Sequence, residues 1–158
     1  MYLTMLEEAR FRQILHGWAD QREALQMRDY IQHGRVTTYV HCMRVAMTSF
    51  WLNRHLCLHA DEVSLVRGAF LHDFYLYDWH HCADLPGLHG FEHPARALKN
   101  AEKYFTLNDT ERDIIATHMW PLTLTKHPHC REAAIVCMAD KLCSAQETVQ
   151  RNERVPQV

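Results

Sequence analysis

Six side chains of this chain have the types and the spacing to hold metal ions: His41, the adjacent pair His72-Asp73, His93, His118 and Asp140. The intervals are 31 residues from His41 to His72, 20 from Asp73 to His93, 25 on to His118 and 22 on to Asp140. A zinc finger draws its ligands from near neighbours in sequence, and these intervals are too long for one. They suit a bundle in which facing helices each project a ligand inward. Imidazoles and carboxylates without thiolates favour iron, manganese, zinc or another borderline to hard divalent cation. Six protein ligands exceed what one catalytic ion takes while keeping an open position. Two ions sharing Asp73 would use them all, because a carboxylate has two oxygens and can bridge. Water held between two such ions loses a proton near neutral pH and becomes a nucleophile.

The elements that must position these residues read as helices. Glycine and proline number five each and are expected to fall between periodic segments. Apolar residues recurring at three and four predict helices over Leu3 to Leu15, Asp20 to Gln32, and from Thr37-Thr38 to about Leu56. A fourth runs from Asp61 into His72-Asp73. Residues 78 to 91 hold Pro86, Gly87 and Gly90 and are expected to form the longest loop, of the kind that often carries function. A fifth helix is expected to open at His93-Pro94, with proline in its first turn, and to reach Phe105. Asn108 with Glu111 predicts the start of a sixth, ending before Pro121. The last covers Arg131 to about Gln150. The expected fold is all-α: a single-domain helical bundle over residues 1–158 with its metal site at the centre.

Asp140 lies among apolar residues, where an unpaired carboxylate is costly and ligation compensates. His41 alone would read as a hydrogen-bonded core histidine; within the set it reads as a ligand. Arg44, one turn beyond His41, would either bind a substrate anion or pair with an acid. Lys141 would reach a phosphate or stay on the surface. His89 and Asp78 are candidate substrate contacts, with Asp78 also a candidate for proton transfer or ligand orientation. His80 and His81 read as loop surface, as do His127 and His129. His16, His33, His55 and His59 read as helix-terminal residues.

The local wording around these positions is Val40-His41-x-x-Arg44-Val45-Ala46, Ala69-Phe70-Leu71-His72-Asp73, Glu92-His93-Pro94, Ile114-Ile115-Ala116-Thr117-His118 and Val136-Cys137-Met138-Ala139-Asp140-Lys141. In this order the segments resemble the H…HD…H…H…D signature of the binuclear branch of the HD-domain metal-dependent phosphohydrolases, over residues 36 to 148. The resemblance implies a helical bundle with the metals at its centre. It also implies that His41, His72, Asp73 and Asp140 hold one ion, and that His93, His118 and a shared Asp73 hold a second. Two divalent ions are expected as cofactors, iron or manganese foremost, with zinc, magnesium, nickel or cobalt as alternatives. The implied activity is hydrolysis of a small phosphate ester or nucleotide by metal-activated hydroxide, with Asp73, Lys141 and Arg44 as the catalytic residues. Family members with the same six ligands also use a di-iron centre with oxygen to cleave C–C or C–P bonds. A third reading is a non-catalytic, metal-stabilised regulatory domain.

Composition bounds the partners. The chain has 158 residues, 47% of them apolar, and a formal charge of -2, with both signs mixed along it. No basic stripe supports binding to a nucleic-acid polymer or a membrane surface, and no apolar stretch approaches a membrane span. The six cysteines form no C-x-x-C pair and read as reduced thiols, mostly in the core. With an acidic N-terminal segment that lacks a signal-peptide pattern, they predict a cytoplasmic protein. Thirteen histidines are the compositional outlier.

Overall fold

Capping side chains set the starts of four helices. In a computed structural model, which describes residues 2–33, 36–76 and 89–152, α1 spans Met5–Leu15 and opens with a reciprocal capping box between Thr4 and Glu7. α3 spans Thr38–His55, with the Thr37 hydroxyl accepting from Val40 N. α4 spans Glu62–Leu71 behind Asp61, and α6 spans Asp109–Thr117 behind a second capping box of Asn108 and Glu111. Between α3 and α4 the chain turns through Cys57 and His59, both at positive φ. Asn53 holds that turn shut, donating to Ala60 O at 3.1 Å and accepting from Ala60 N at 2.9 Å.

The fold is an all-α bundle. α3 is its axis, packed against α4 and against α7 (Arg131–Asn152). α4 packs on α6, and α5 (His89–Tyr104) packs chiefly on α6. Phe50, Leu65, Phe70, Ile114, Ile115 and Val136 are buried at the junctions. Among the described residues no helix is long and apolar enough to cross a membrane. Cys42, Cys57, Cys130, Cys137 and Cys143 are free thiols; Cys82 lies outside the described residues.

Three expectations need correction. The helix expected over Asp20 to Gln32 is only a short α2 (Arg22–Leu25) and a 3-10 turn, Gln26–Arg28. The chain then enters a strand, β1 (Ile31–His33), paired antiparallel with β2 (Val36–Thr37). A helix this short has little stability of its own, and tertiary contacts decide its conformation. Here the alternation of the strand turns Ile31 outward and Gln32 inward, 38% and 7% exposed. Second, α5 starts at His89 rather than His93, so Pro94 lies inside it and residues 89–91 leave the expected loop. Third, not every glycine separates elements. Gly68 lies within α4, where a Cβ would stand 2.5 Å from Ile114 Cδ1 of α6.

α7 is anchored at its start from another helix. Asp113 on α6 accepts from His129 N and Cys130 N at 2.9 and 3.1 Å and pairs with His129 Nδ1 at 2.7 Å. Burial works against the charged carboxylate, but His129, through its ring and backbone N–H, and Cys130 outweigh it and hold Asp113 below its ordinary range. A carboxyl depressed in the folded state stabilises above its unfolded pKa, and that contribution is lost as pH falls through the folded pKa. Asp113→Ala should therefore cost about 1–2 kcal/mol at neutral pH. The melting-temperature gap to wild type should close as pH falls below about 4, the ordinary aspartate value. A gap independent of pH would show that the carboxylate charge is not what anchors α7.

Candidate metal centre

The ends of α4 and α6 use the same local device. His72 follows the last residue of α4, and His118 follows the last residue of α6. Each turns its Nδ1 back onto a carbonyl three residues earlier: His72 to Ala69 O at 2.8 Å and His118 to Ile115 O at 2.9 Å. The last carbonyls of a helix lack partners within it, so these imidazoles satisfy them. A carbonyl only accepts, so Nδ1 must carry the hydrogen. When the ring is neutral, Nε2 then presents a lone pair, the tautomer a metal ligand requires.

Both lone pairs point at Asp73, which is 2% exposed. Its Oδ2 lies 3.3 Å from His72 Nε2 and 3.8 Å from His41 Nε2. Its Oδ1 lies 3.2 Å from His93 Nε2 and 3.3 Å from His118 Nε2. The two oxygens thus face two different imidazole pairs. Asp140 Oδ1, from α7, lies 3.2 Å from His41 Nε2 and 3.8 Å from His72 Nε2. His93 and His118 meet Nε2 to Nε2 at 2.8 Å. The structure therefore brings together all six residues singled out in the sequence. The groups His41, His72, Asp140 and His72, Asp73, His118 each converge closely enough to hold a metal ion, and all their members are buried.

The centre is rich in acceptors. His72 Nε2 and Asp73 Oδ1 are buried and make no hydrogen bond among the described residues. Burial opposes charge on His118 more than Asp73 favours it, and lowers its pKa to about 4, so its Nε2 faces Asp73 Oδ1 as a lone pair. At Asp73 burial favours the neutral acid, but His72, His93 and His118 outweigh it and keep the group ionised. Asp140 is likewise ionised against burial, through His41, His72 and Lys141. Burial opposes charge on His41, yet Asp140 and Glu147 raise its pKa to about 10. Burial opposes charge on His72 as well, and Asp73 raises it. Without metal, protons at His41 and His72 therefore balance the carboxylates, and metal uptake must expel them. His118 Nε2 and Asp73 Oδ1 remain facing acceptors, and such a buried pair is costly unless a cation lies between them.

A second layer orients the ligands. Glu147 Oε2 meets His41 Nδ1 at 3.0 Å, and Arg44 Nη1 donates to Glu147 Oε1 at 3.1 Å. Of the two roles open to Arg44, the structure shows the pairing with an acid. Lys141 Nζ donates to His118 O at 2.5 Å and to Asp140 Oδ2 at 3.1 Å, bracing the end of α6 against α7. Ser144 Oγ donates to Asp140 Oδ1 at 3.2 Å. Gln32 Nε2 donates to Asp73 Oδ2 at 2.6 Å, while its Oε1 accepts from the Tyr75 and Thr38 hydroxyls. A cleft of about 230 Å³ lies behind Glu147, lined by Arg44, Thr48, Trp51 and Cys143 among others, and none of the six ligands lines it.

Glu147, Gln32, Ser144 and Tyr75 were not singled out in the sequence. Glu147 carried a usable signal: it stands seven residues after Asp140 on one helix, two turns along the same face. Gln32 carried none, since only the strand turns it inward. Asp78, His80 and His81 lie outside the described residues, as does the side chain of His89. No family model, curated protein or solved structure matches the chain.

Proposed function

We propose that this chain is a metal-dependent phosphohydrolase of the HD-domain type, acting on a small phosphate ester or nucleotide with two divalent ions. The observation that carries the reading is Asp73, whose two carboxylate oxygens face separate imidazole pairs within a buried, acceptor-rich centre. His41, His72, Asp73 Oδ2 and Asp140 would hold one ion. His93, His118 and Asp73 Oδ1 would hold the other.

When bound, the ions would polarise a phosphoryl oxygen and activate a water for in-line attack. The chain's own residues position and exclude. Gln32 fixes the Asp73 carboxylate, and the carbonyls of Ala69 and Ile115 fix the tautomers of His72 and His118. Lys141, bonded to Asp140 and 41% exposed along its side chain, would supply positive charge beside the phosphoryl group during its transfer.

The test is metal analysis of protein purified without an affinity-metal column or added chelator, followed by turnover assays. Phosphate release from a phosphoester panel with manganese or another divalent ion is the expected result. Iron content with oxygen uptake and no phosphate release would replace hydrolysis with oxidative cleavage. Stable, metal-loaded protein without turnover in either assay would leave a regulatory metal-binding domain.

A further inference from the structure

We infer that the two halves of the centre bind their ions with unequal strength, and that Glu147 is the positioning residue that sets the difference. The inference rests on the two-ion reading above.

The asymmetry lies in charge and in support. On the His41 side, a full carboxylate, Asp140, joins one oxygen of Asp73. A third carboxylate, Glu147, stands directly behind His41 at Nδ1 and is 4% exposed. On the other side, among the described residues, the second Asp73 oxygen is the one negative donor, and His118 is backed by a neutral carbonyl. A carboxylate behind a ligating imidazole makes it a more basic ligand than a carbonyl does and fixes its ring. Arg44 grips the far oxygen of Glu147, so the near oxygen stays aimed at His41.

Helix packing points the same way. His41, His72 and Asp140 come from α3, the end of α4, and α7, which pack directly on one another. His93 comes from α5, which packs chiefly on α6. The His41 side therefore retains its ion, while the His93–His118 side exchanges its ion with the surrounding pool. Occupancy of the weaker side would then follow free divalent-ion concentration and gate the activity.

Calorimetric titration of stripped, full-length protein with Mn2+ alone reads this directly, together with the ion content retained after desalting. Wild type should show two binding classes at least about tenfold apart, with roughly one ion retained. Glu147→Gln should weaken the tight class by about 10–100-fold and leave the weak class unchanged. His118→Ala should remove the weak class and leave the tight one. A role of Glu147 in folding alone would not single out one class. Two equal classes in wild type, a Glu147→Gln effect on the weak class or on neither, or loss of the tight class in His118→Ala would each overturn the inference while leaving two ions in place. A wild-type protein that binds no Mn2+, Fe2+ or Zn2+ would instead overturn the metal-centre reading itself.

Discussion

On the proposed two-ion centre, Asp73→Ala should lose both metal ions and at least about a thousandfold in the proposed activity, equivalent to about 4 kcal/mol of transition-state stabilisation. Among the described residues no other carboxylate faces both imidazole pairs, so no other candidate ligand should behave this way. Oδ2 lies toward His72 and His41, and Oδ1 toward His93 and His118. Removing Asp140 would strip carboxylate from one side only, and removing His118 would strip an imidazole from the other. Asp73→Asn separates charge from shape. It keeps one oxygen and replaces the other with a donor amide, which repels a cation, so it should retain at most one ion. Asp73 is a buried carboxylate paired with His72 and Gln32, and removing one partner of a buried pair costs about 3–5 kcal/mol. Asp73→Asn, which keeps the shape, is therefore the variant in which metal loss is read apart from loss of fold. The measurements are metal content per chain, turnover and the melting temperature of the stripped protein. Wild-type metal content in Asp73→Ala would end the bridging assignment.

The candidate ligands were legible in the sequence because their chemistry is conspicuous against its background. His41, His72-Asp73, His118 and Asp140 are polar residues in or directly after apolar helical runs, and burial at such positions demands compensation. The helices were legible where a cap stood in front of a long period, as at Thr37 for α3 and Asn108 for α6. What stayed hidden depends on contacts distant in sequence. Residues 20–33 hold enough helix-forming side chains to read as one helix, yet Gln32 is drawn onto Asp73, 41 residues away, by a strand that no local pattern announces. The start of α5 was misplaced because Pro94 looks like a first-turn proline, although a helix can carry proline one turn in. Of the substrate anion and the acid open to Arg44 in the sequence, neither is local. Its acid, Glu147, lies 103 residues away, so its part in holding His41 appears only once α3 and α7 are packed.

Gly68 ties the packing to the centre, and Gly68→Val should damage both. Glycine inside a helix costs about 1 kcal/mol relative to alanine, so its presence in α4 calls for a reason. The reason is distance: a Cβ at Gly68 would stand 2.5 Å from Ile114 Cδ1, 3.0 Å from Ile114 Cβ and 3.1 Å from Ile114 Cγ2. Cδ1 and Cγ2 swing with a change of rotamer, but Cβ moves only with α6. Ile114 is fully buried, so there is little room to yield. Valine should therefore cost about 3 kcal/mol, which for a chain of this size lowers the melting temperature by about 6–12 °C. Alanine should cost less, because its better helix preference offsets part of the overlap. The same displacement reaches the candidate metal ligands. His72 and His118 follow the ends of these two helices, with ring centroids 4.9 Å apart, four residues beyond Gly68 and Ile114 respectively. Forcing α4 from α6 separates Asp73 from His118, so metal affinity should fall along with stability. Ile114→Val removes the Cδ1 atom of closest approach and should recover part of both losses in the Gly68→Ala background. The cycle is read as metal-free melting temperature and Mn2+ affinity for the four proteins. If Gly68→Ala is more stable than wild type and binds metal as well, close approach is not why glycine occupies this position.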